Sequence, residues 1–422
     1  MKNELDKDNL YKKILDEQNI FSAIFCMESY IFDKGLLDTT TPITCEDEED
    51  KTSKIIAKSD LDLYYALADK HNMQLIEKVI ALCHKRLTWL FADKNHIFPT
   101  RVYFKLKSYD NDNNTLEFRP LHTASLIDMI CMVCILTPLM YEDEYKKGKR
   151  NLSDLSKLIP HNFYGNIPST NVQYLFHKWQ NKYKEYSEVV TQHCRTYQRN
   201  HKYLAEVCLD IKNFFPSISP QLLFNYIVEK MSSTYEKNLD MLKMAVAKLL
   251  YFQIDRENIR PWHSEYYPKG FNMSDDNIYM NCGIPQGLPQ SYFFGNLCMI
   301  EVQNLLMREE CFKGDAYFYV DDSVIYIKSE LQPNEFKNRI SVLNRYLEEW
   351  CDQSKSPNRY NLNEFISEDY IEFQAKIKYK IAFHKEKKSI ITPIDEVNDN
   401  IPYLERTVSG FSNIAWHLDE ID

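Results

Sequence analysis

AYFYVDDSVIYI, residues 316–327, holds two adjacent aspartates between runs rich in β-branched and aromatic residues. Aspartate is a poor strand former, and neighbouring carboxylates repel one another. A tight turn between two strands is the natural reading. It would carry Asp321 and Asp322 at an exposed tip, where aspartate is common on turn grounds alone. The pair by itself therefore leaves open whether it does chemistry or only turns the chain.

Two other segments bear on that choice. In VCLDIKNFFPSI (207–218) a hydrophobic strand ends at Asp210, with Phe214 and Phe215 four and five residues on. NCGIPQGLPQSYFFGN (281–296) is a loop punctuated by glycine and proline that runs into an apolar helix. Read singly, these are a strand end and a turn before a helix. Together, a strand-end carboxylate and a carboxylate pair at a hairpin tip can share two Mg²⁺ ions. Mg²⁺ takes hard oxygen ligands, commonly one or two carboxylates plus substrate phosphates. Two such ions about 3.5–4 Å apart stabilise the attacking and leaving oxygens of an in-line phosphoryl displacement. Cations would also relieve the repulsion within the pair.

D-x-x-x-F-F, P-Q-G and Y-V-D-D, in this order, resemble motifs A, B and C of reverse transcriptases. The resemblance implies an α+β right-hand polymerase fold and an RNA-directed DNA polymerase using dNTPs and two Mg²⁺ ions, with Mn²⁺ as a substitute. It implies catalytic roles for Asp210, Asp321 and Asp322, the first two as principal metal ligands and the third supporting, with Ile211 beside them in the metal set. Phe215 matches the steric gate that excludes a 2′-hydroxyl. Gln286 and Gly287 match the motif B residues of the nucleotide pocket, where glycine permits a close backbone approach to substrate or template.

Arg101 and Lys105 on one expected strand, and Arg119 on the next, resemble fingers residues that hold a triphosphate, a task suited to the guanidinium fork. The alternative is ordinary surface charge on a hairpin. Lys387 resembles the motif D lysine, a general acid for pyrophosphate, with Lys385 and Lys388 close by. GFSNIAW (410–416) lies where the family carries its primer grip. FRPLHTASLIDMI (118–130), Y-G-N at 164–166 and the Trp179/Tyr183 spacing look most like bacterial defence-associated and abortive-infection reverse transcriptases, including the type 2 defence group. Antiphage defence with a structured non-coding RNA as template is the role that likeness implies.

The remaining chain divides into a helical, acidic region (1–95), fingers (96–170), palm (171–395) and a primer-grip-like segment with a short thumb remnant (396–422). About thirty residues follow the motif D-like segment. The expected clamp on template and product is therefore the N-terminal region, a bound RNA or a neighbouring subunit. Residues 97–107 and 115–122 read as a hairpin, 126–139 as a buried helix, EDEYKKGKR (142–150) as a charged loop, and 171–203 as helical. Phe336, Ile340, Leu343, Leu347 and Trp350 mark an amphipathic helix.

The 376–393 stretch reads as a strand whose Lys376, Lys378 and Lys380 share one face. That row either solubilises an edge strand or binds nucleic acid. Lys178, Lys182, Arg195 and Arg199 are the other nucleic-acid candidates.

The net charge of −10 argues against a protein that coats nucleic acid indiscriminately, though a local basic channel is compatible with it. Cys131 and Cys134 form a C-x-x-C inside an apolar run, which points to core packing rather than zinc or redox chemistry. No apolar run approaches the roughly 18–20 residues of a membrane span. The polar N-terminus lacks a signal-peptide core, so a cytoplasmic location is expected.

Other readings compatible with the residues are template-independent or protein-primed DNA synthesis at the same site and an inactive palm that only binds RNA. An RNA-dependent RNA polymerase conflicts with Phe215. The oligomeric state is not legible.

Overall fold

The computed structural model describes residues 9–46, 53–110, 115–146, 148–255, 283–352, 360, 362–385 and 388–397. Lys387, GFSNIAW and Asn281–Cys282 of the PQG segment lie outside them.

The chain opens with helices Asn9–Leu15 and Glu17–Phe25, then a hairpin of β1 (Ile43–Glu46) and β2 (Ser53–Ala57). The hairpin corrects the purely helical expectation for this region, and its strands flank the acidic run. Helices Asp60–Ala68 and Met73–Ala92 follow. These elements belong to the main core: one hydrophobic cluster runs from Leu10 through the centre of the molecule to Phe383. Polar contacts tie the same region down. The Leu126 N–H donates to buried Asp60 (3.1 Å), and the Asn19 amide donates to the Cys134 carbonyl (2.9 Å).

As expected, β3 (Pro99–Asp110) and β4 (Thr115–Thr123) form an antiparallel hairpin. Helix Leu126–Met140 is buried all round, starts at the Ser125 N-cap and holds Cys131 and Cys134 in the core. The charged stretch after it is a hairpin, β5 (Tyr141–Lys146) with β6 (Lys149–Leu152), rather than a loop. The helix expected from 171 begins at Trp179. Residues 171–178 are turns and isolated bridges, so Tyr174 and Phe176 precede the helix.

The central sheet has the order β11–β7–β10–β9 and is antiparallel throughout: β7 is Ala205–Asp210, β9 Asp315–Tyr319, β10 Asp322–Ile327 and β11 Ile390–Pro393. A two-residue strand, β8 (Gln253–Ile254), extends the β3–β4 pair. Because strand side chains alternate, one sheet face carries Asp210, Asp322, Tyr317, Tyr319 and Tyr326. Helix Trp179–Asn200 lies against that face with its stripe Tyr186, Val190, Cys194 and Tyr197, and Tyr326 Oη donates to the Val190 carbonyl (3.0 Å). The opposite face, with Val207, Leu209 and Ile325, joins the main core. Helices Pro220–Met231 and Pro289–Leu306 each begin with proline at the first turn, where its missing N–H costs nothing.

The lysine-rich stretch departs from expectation. Lys376 ends helix Glu368–Lys376, residues 377–384 pair with the sheet only through the Ile211–Phe383 bridge, and the strand proper is β11. Helix Pro333–Asp352 buries Phe336, Ile340, Leu343 and Leu347 as predicted. Among the described residues no helix is long and apolar enough to cross a membrane.

Candidate active site

Three carboxylates converge where the central strands end. Asp210 is the last residue of β7 and Asp322 the first of β10, and the two are directly paired in the antiparallel ladder. Asp321 precedes them in the β9–β10 turn. The turn is not an exposed tip: Asp321 and Asp322 are half-buried, because the loop at Gly165 packs beneath Val320. Val320 has φ of 55°, a left-handed conformation rare for a β-branched residue that costs on the order of 1–3 kcal/mol and persists only where the surroundings impose it.

Burial and the charge of Asp210 push the Asp321 carboxyl up to about 6, against the pull of Arg119. Burial, then the charges of Asp321 and Asp210, raise Asp322 well above the carboxylate range.

One strand-like segment is laced onto Asp210. The His384 N–H donates to the Asp210 carbonyl (3.0 Å) and the Lys212 N–H to the Ala382 carbonyl (2.9 Å). Lys388 Nζ stands 2.9 Å from Asp210 Oδ2 as an ion pair, and His384 Nε2 lies 3.6 Å from the same oxygen. Burial opposes the Lys388 ammonium, but Asp210 outweighs it and raises its pKa. Of the two described lysines near motif D, Lys388 lines the cleft and Lys385 does not; Lys387 lies outside the described residues.

The cleft above the carboxylates brings together Arg119, Phe215, Gln286 and Gly287 with Asp210, Ile211, Asp321 and Asp322. Phe215 follows the left-handed Asn213 on a short helix, Phe214–Ser217. Its ring meets Tyr292 edge-on at 6.5 Å, and Phe32 packs edge-on against Tyr292 at 4.7 Å. Gly287 has φ of 112°, and a Cβ there would stand 2.3 Å from the His122 carbonyl oxygen. The close approach this glycine permits is therefore to β4. The neighbouring His122 N–H donates to the Gln286 carbonyl (2.7 Å), fastening the P-Q-G loop to the same strand.

The cations divide. Lys105 and Arg119 face each other across β3–β4, but of the two only Arg119 lines the cleft; burial, then Arg119, lowers the Lys105 pKa to about 8. Arg101 is engaged by buried Asp38 at 2.7 Å and does not line the cleft. Lys178, Lys182, Arg195 and Arg199 lie along the Trp179–Asn200 helix outside the cleft lining. Lys178 stacks over Tyr174, and Lys182 pairs with Glu185 (2.7 Å). Lys376, Lys378 and Lys380 keep their alternation and are exposed, but Lys378 and Lys380 both pair with Glu348, at 3.2 and 3.0 Å.

Sequence reasoning missed the wall formed by Tyr30–Leu37 of the N-terminal region, including Phe32 and Asp33, and also Asn166 and Tyr292. Local pattern gave no sign of Phe32, which reaches the cleft only through tertiary packing. Y-G-N and the Trp179/Tyr183 spacing were noticed as marks of resemblance, and Asn166, Trp179 and Tyr183 all line the cleft.

Among the described residues no group of three or more histidine, cysteine or acidic side chains is drawn in to hold a metal. Divalent cations nonetheless fit the donor chemistry. Buried carboxylates that repel one another are hard-oxygen donors, and Mg²⁺ needs only one or two besides substrate phosphates. Ile211 can add only its backbone carbonyl.

Residues 144–355, half of the chain, match the family model described as "Reverse transcriptase (RNA-dependent DNA polymerase)". No curated protein matches the chain.

Proposed function

The chain belongs to the reverse transcriptases, RNA-directed DNA polymerases that transfer nucleotidyl groups from dNTPs with divalent metal ions, and from that premise we propose how its residues divide the work. Asp210 and Asp321 hold the cations, typically Mg²⁺, with Asp322 and the Ile211 carbonyl in support. The bound ions supply Lewis-acid stabilisation of the attacking and leaving oxygens. Arg119 and Lys105 hold the triphosphate, Phe215 closes the space below the sugar, and Gln286 and Gly287 shape the nucleotide pocket. Lys388, whose ammonium sits at Asp210, is placed to give a proton to pyrophosphate, the role sought among the motif D lysines.

The observation that carries this reading is the shared cleft: a cross-strand carboxylate pair and its turn neighbour face Arg119 and Phe215 across one opening. An inactive RNA-binding palm would have no reason to crowd three carboxylates where a phosphate backbone must come near.

The finer reading assigns fingers to 96–170 and palm to 171–395, with template supplied by a structured non-coding RNA in antiphage defence. What supports the defence role is the likeness of F-R-P-L-H, Y-G-N and the Trp179/Tyr183 spacing to such enzymes. Lys178, Arg195, Arg199 and the Lys376–Lys378–Lys380 row offer the basic surface for RNA.

The test is to sequence nucleic acid that co-purifies from cells carrying the native flanking DNA, for wild type and Asp321→Asn. One discrete RNA in both, with complementary DNA in wild type only, is the expected result. DNA matching no RNA would replace the templated reading with untemplated synthesis.

A further inference from the structure

The strained Val320 turn needs an explanation, because a β-branched residue holds a left-handed φ only when its neighbours leave no alternative. Those neighbours come from two distant segments. Residues 162–166 run beside β9. The Phe318 N–H donates to the Asn162 carbonyl (2.9 Å), the Tyr164 N–H to the Phe318 carbonyl (2.9 Å), and the Asn162 amide to the Ala316 carbonyl (2.8 Å). The segment ends under the turn at Gly165, where a Cβ would stand 2.6 Å from Val320 Cγ2 and 2.7 Å from Val320 N.

What holds Gly165 there is Asn296, from the middle of helix Pro289–Leu306. Its side chain is buried, 2 % exposed, and its amide donates to both the Gly165 (2.9 Å) and Asn166 (3.0 Å) carbonyls. Asn166 is itself left-handed, with φ of 52°, and lines the cleft.

We propose that Asn296 is a positioning residue: through Gly165 it keeps the Val320 turn in its strained form and so sets the height of Asp321 in the cleft. The helix following P-Q-G is thereby coupled to the Y-V-D-D turn through Y-G-N. Asn296 touches no substrate. Its effect reaches the chemistry only through where Asp321 stands, and the proposal rests on the reading of Asp321 as a metal-holding carboxylate.

Asn296→Asp keeps the side chain's shape but turns an oxygen toward two carbonyls. A carboxylate displaced by a fraction of an ångström predicts a fall in kcat of about 10- to 100-fold. The dNTP KM should stay within about twofold, since uniform binding is untouched. Mn²⁺ binding to the free protein, followed by electron paramagnetic resonance, should weaken, while the melting transition remains cooperative. Val320→Gly placed in the Asn296→Asp background should restore part of both kcat and Mn²⁺ binding, because glycine takes the left-handed φ without a brace.

Asp321→Asn is measured alongside. If it stays active, the reading of the site fails, and the proposal with it. If it is inactive while Asn296→Asp keeps wild-type kcat and Mn²⁺ affinity, the brace alone fails. Joint loss of kcat, KM and melting temperature with no rescue by Val320→Gly would make Asn296 a fold residue and overturn the proposal equally.

Discussion

Asp322 and Asp210 occupy directly opposed positions in the β10–β7 ladder, so two strands far apart in sequence deliver their carboxylates to one sheet face. Like charges placed so are destabilising in a sheet. Burial sharpens the conflict: it holds Asp321 up to about 6 and also raises Asp322 well above the carboxylate range. Lys388 and Arg119 offset part of it, and divalent cations complete the balance in the account given above.

Phe215 is buried behind Tyr292 and Phe32, which restrict how far its ring can swing. Phe215→Val should open space for a 2′-hydroxyl and reduce the preference for dNTPs over rNTPs by roughly 100-fold. Competitive single-nucleotide incorporation measures the ratio. An unchanged preference would remove Phe215 from sugar selection.

If Lys105 helps to hold the triphosphate as proposed, nucleotide binding should depend on pH. Burial and the facing Arg119 lower its pKa to about 8, so it is charged below that value and loses its proton above it. The dNTP KM should therefore rise as pH increases through about 8. Lys105→Arg keeps its charge at every accessible pH and should flatten the rise. A rise that persists in Lys105→Arg would place the titration elsewhere.

Lys248 is a buried structural cation. Its ammonium donates to the carbonyls of Asp93 (2.8 Å), Lys94 (3.1 Å) and His96, closing the link between the N-terminal helices and β3. Lys248→Met leaves those carbonyls without their donor and should destabilise the fold by about 3 kcal/mol at pH 7. Burial lowers the folded pKa from 10.5 to about 8. Between those values the unfolded chain binds the extra proton, so this group's contribution to stability increases with pH across the window. Denaturant titrations at pH 7 and pH 9.5 should show the wild type gaining relative to Lys248→Met.

The lysine row is weaker as an RNA surface than its spacing alone implies, because Lys378 and Lys380 share Glu348. Neutralising Lys376, Lys378 and Lys380 together should make the salt dependence of RNA binding shallower by about one to two units of log–log slope. An unchanged slope would exclude the row from the interface.

Much of the site was legible because its signals are local. A strand, a turn and a strand around Asp321–Asp322 follow from β-branched and aromatic residues flanking poor strand formers, and Asp210 sits at the end of an equally clear strand. Helix Leu126–Met140 announced itself by a long apolar run interrupted only by Asp128 and Thr137. The β5–β6 hairpin was hidden by its charges, since E-D-E-Y-K-K-G-K-R shows no apolar alternation to mark a strand. The lysine stretch shows the converse: the alternation survives, while residues 377–384 pair with the sheet only through the Ile211–Phe383 bridge. Phe32, Tyr292 and the Asn296–Gly165 brace were illegible for a different reason. Each acts on a partner far away in sequence, and only the folded chain brings them together.

The most direct test of the central claim is dNTP incorporation on a primed RNA template against Mg²⁺ concentration, for wild type, Asp210→Asn, Asp321→Asn and Asp322→Asn. The account predicts no detectable incorporation by Asp210→Asn or Asp321→Asn at any Mg²⁺ concentration. Asp322→Asn should retain reduced activity that recovers in part as Mg²⁺ is raised. Robust incorporation by Asp210→Asn or Asp321→Asn would contradict it.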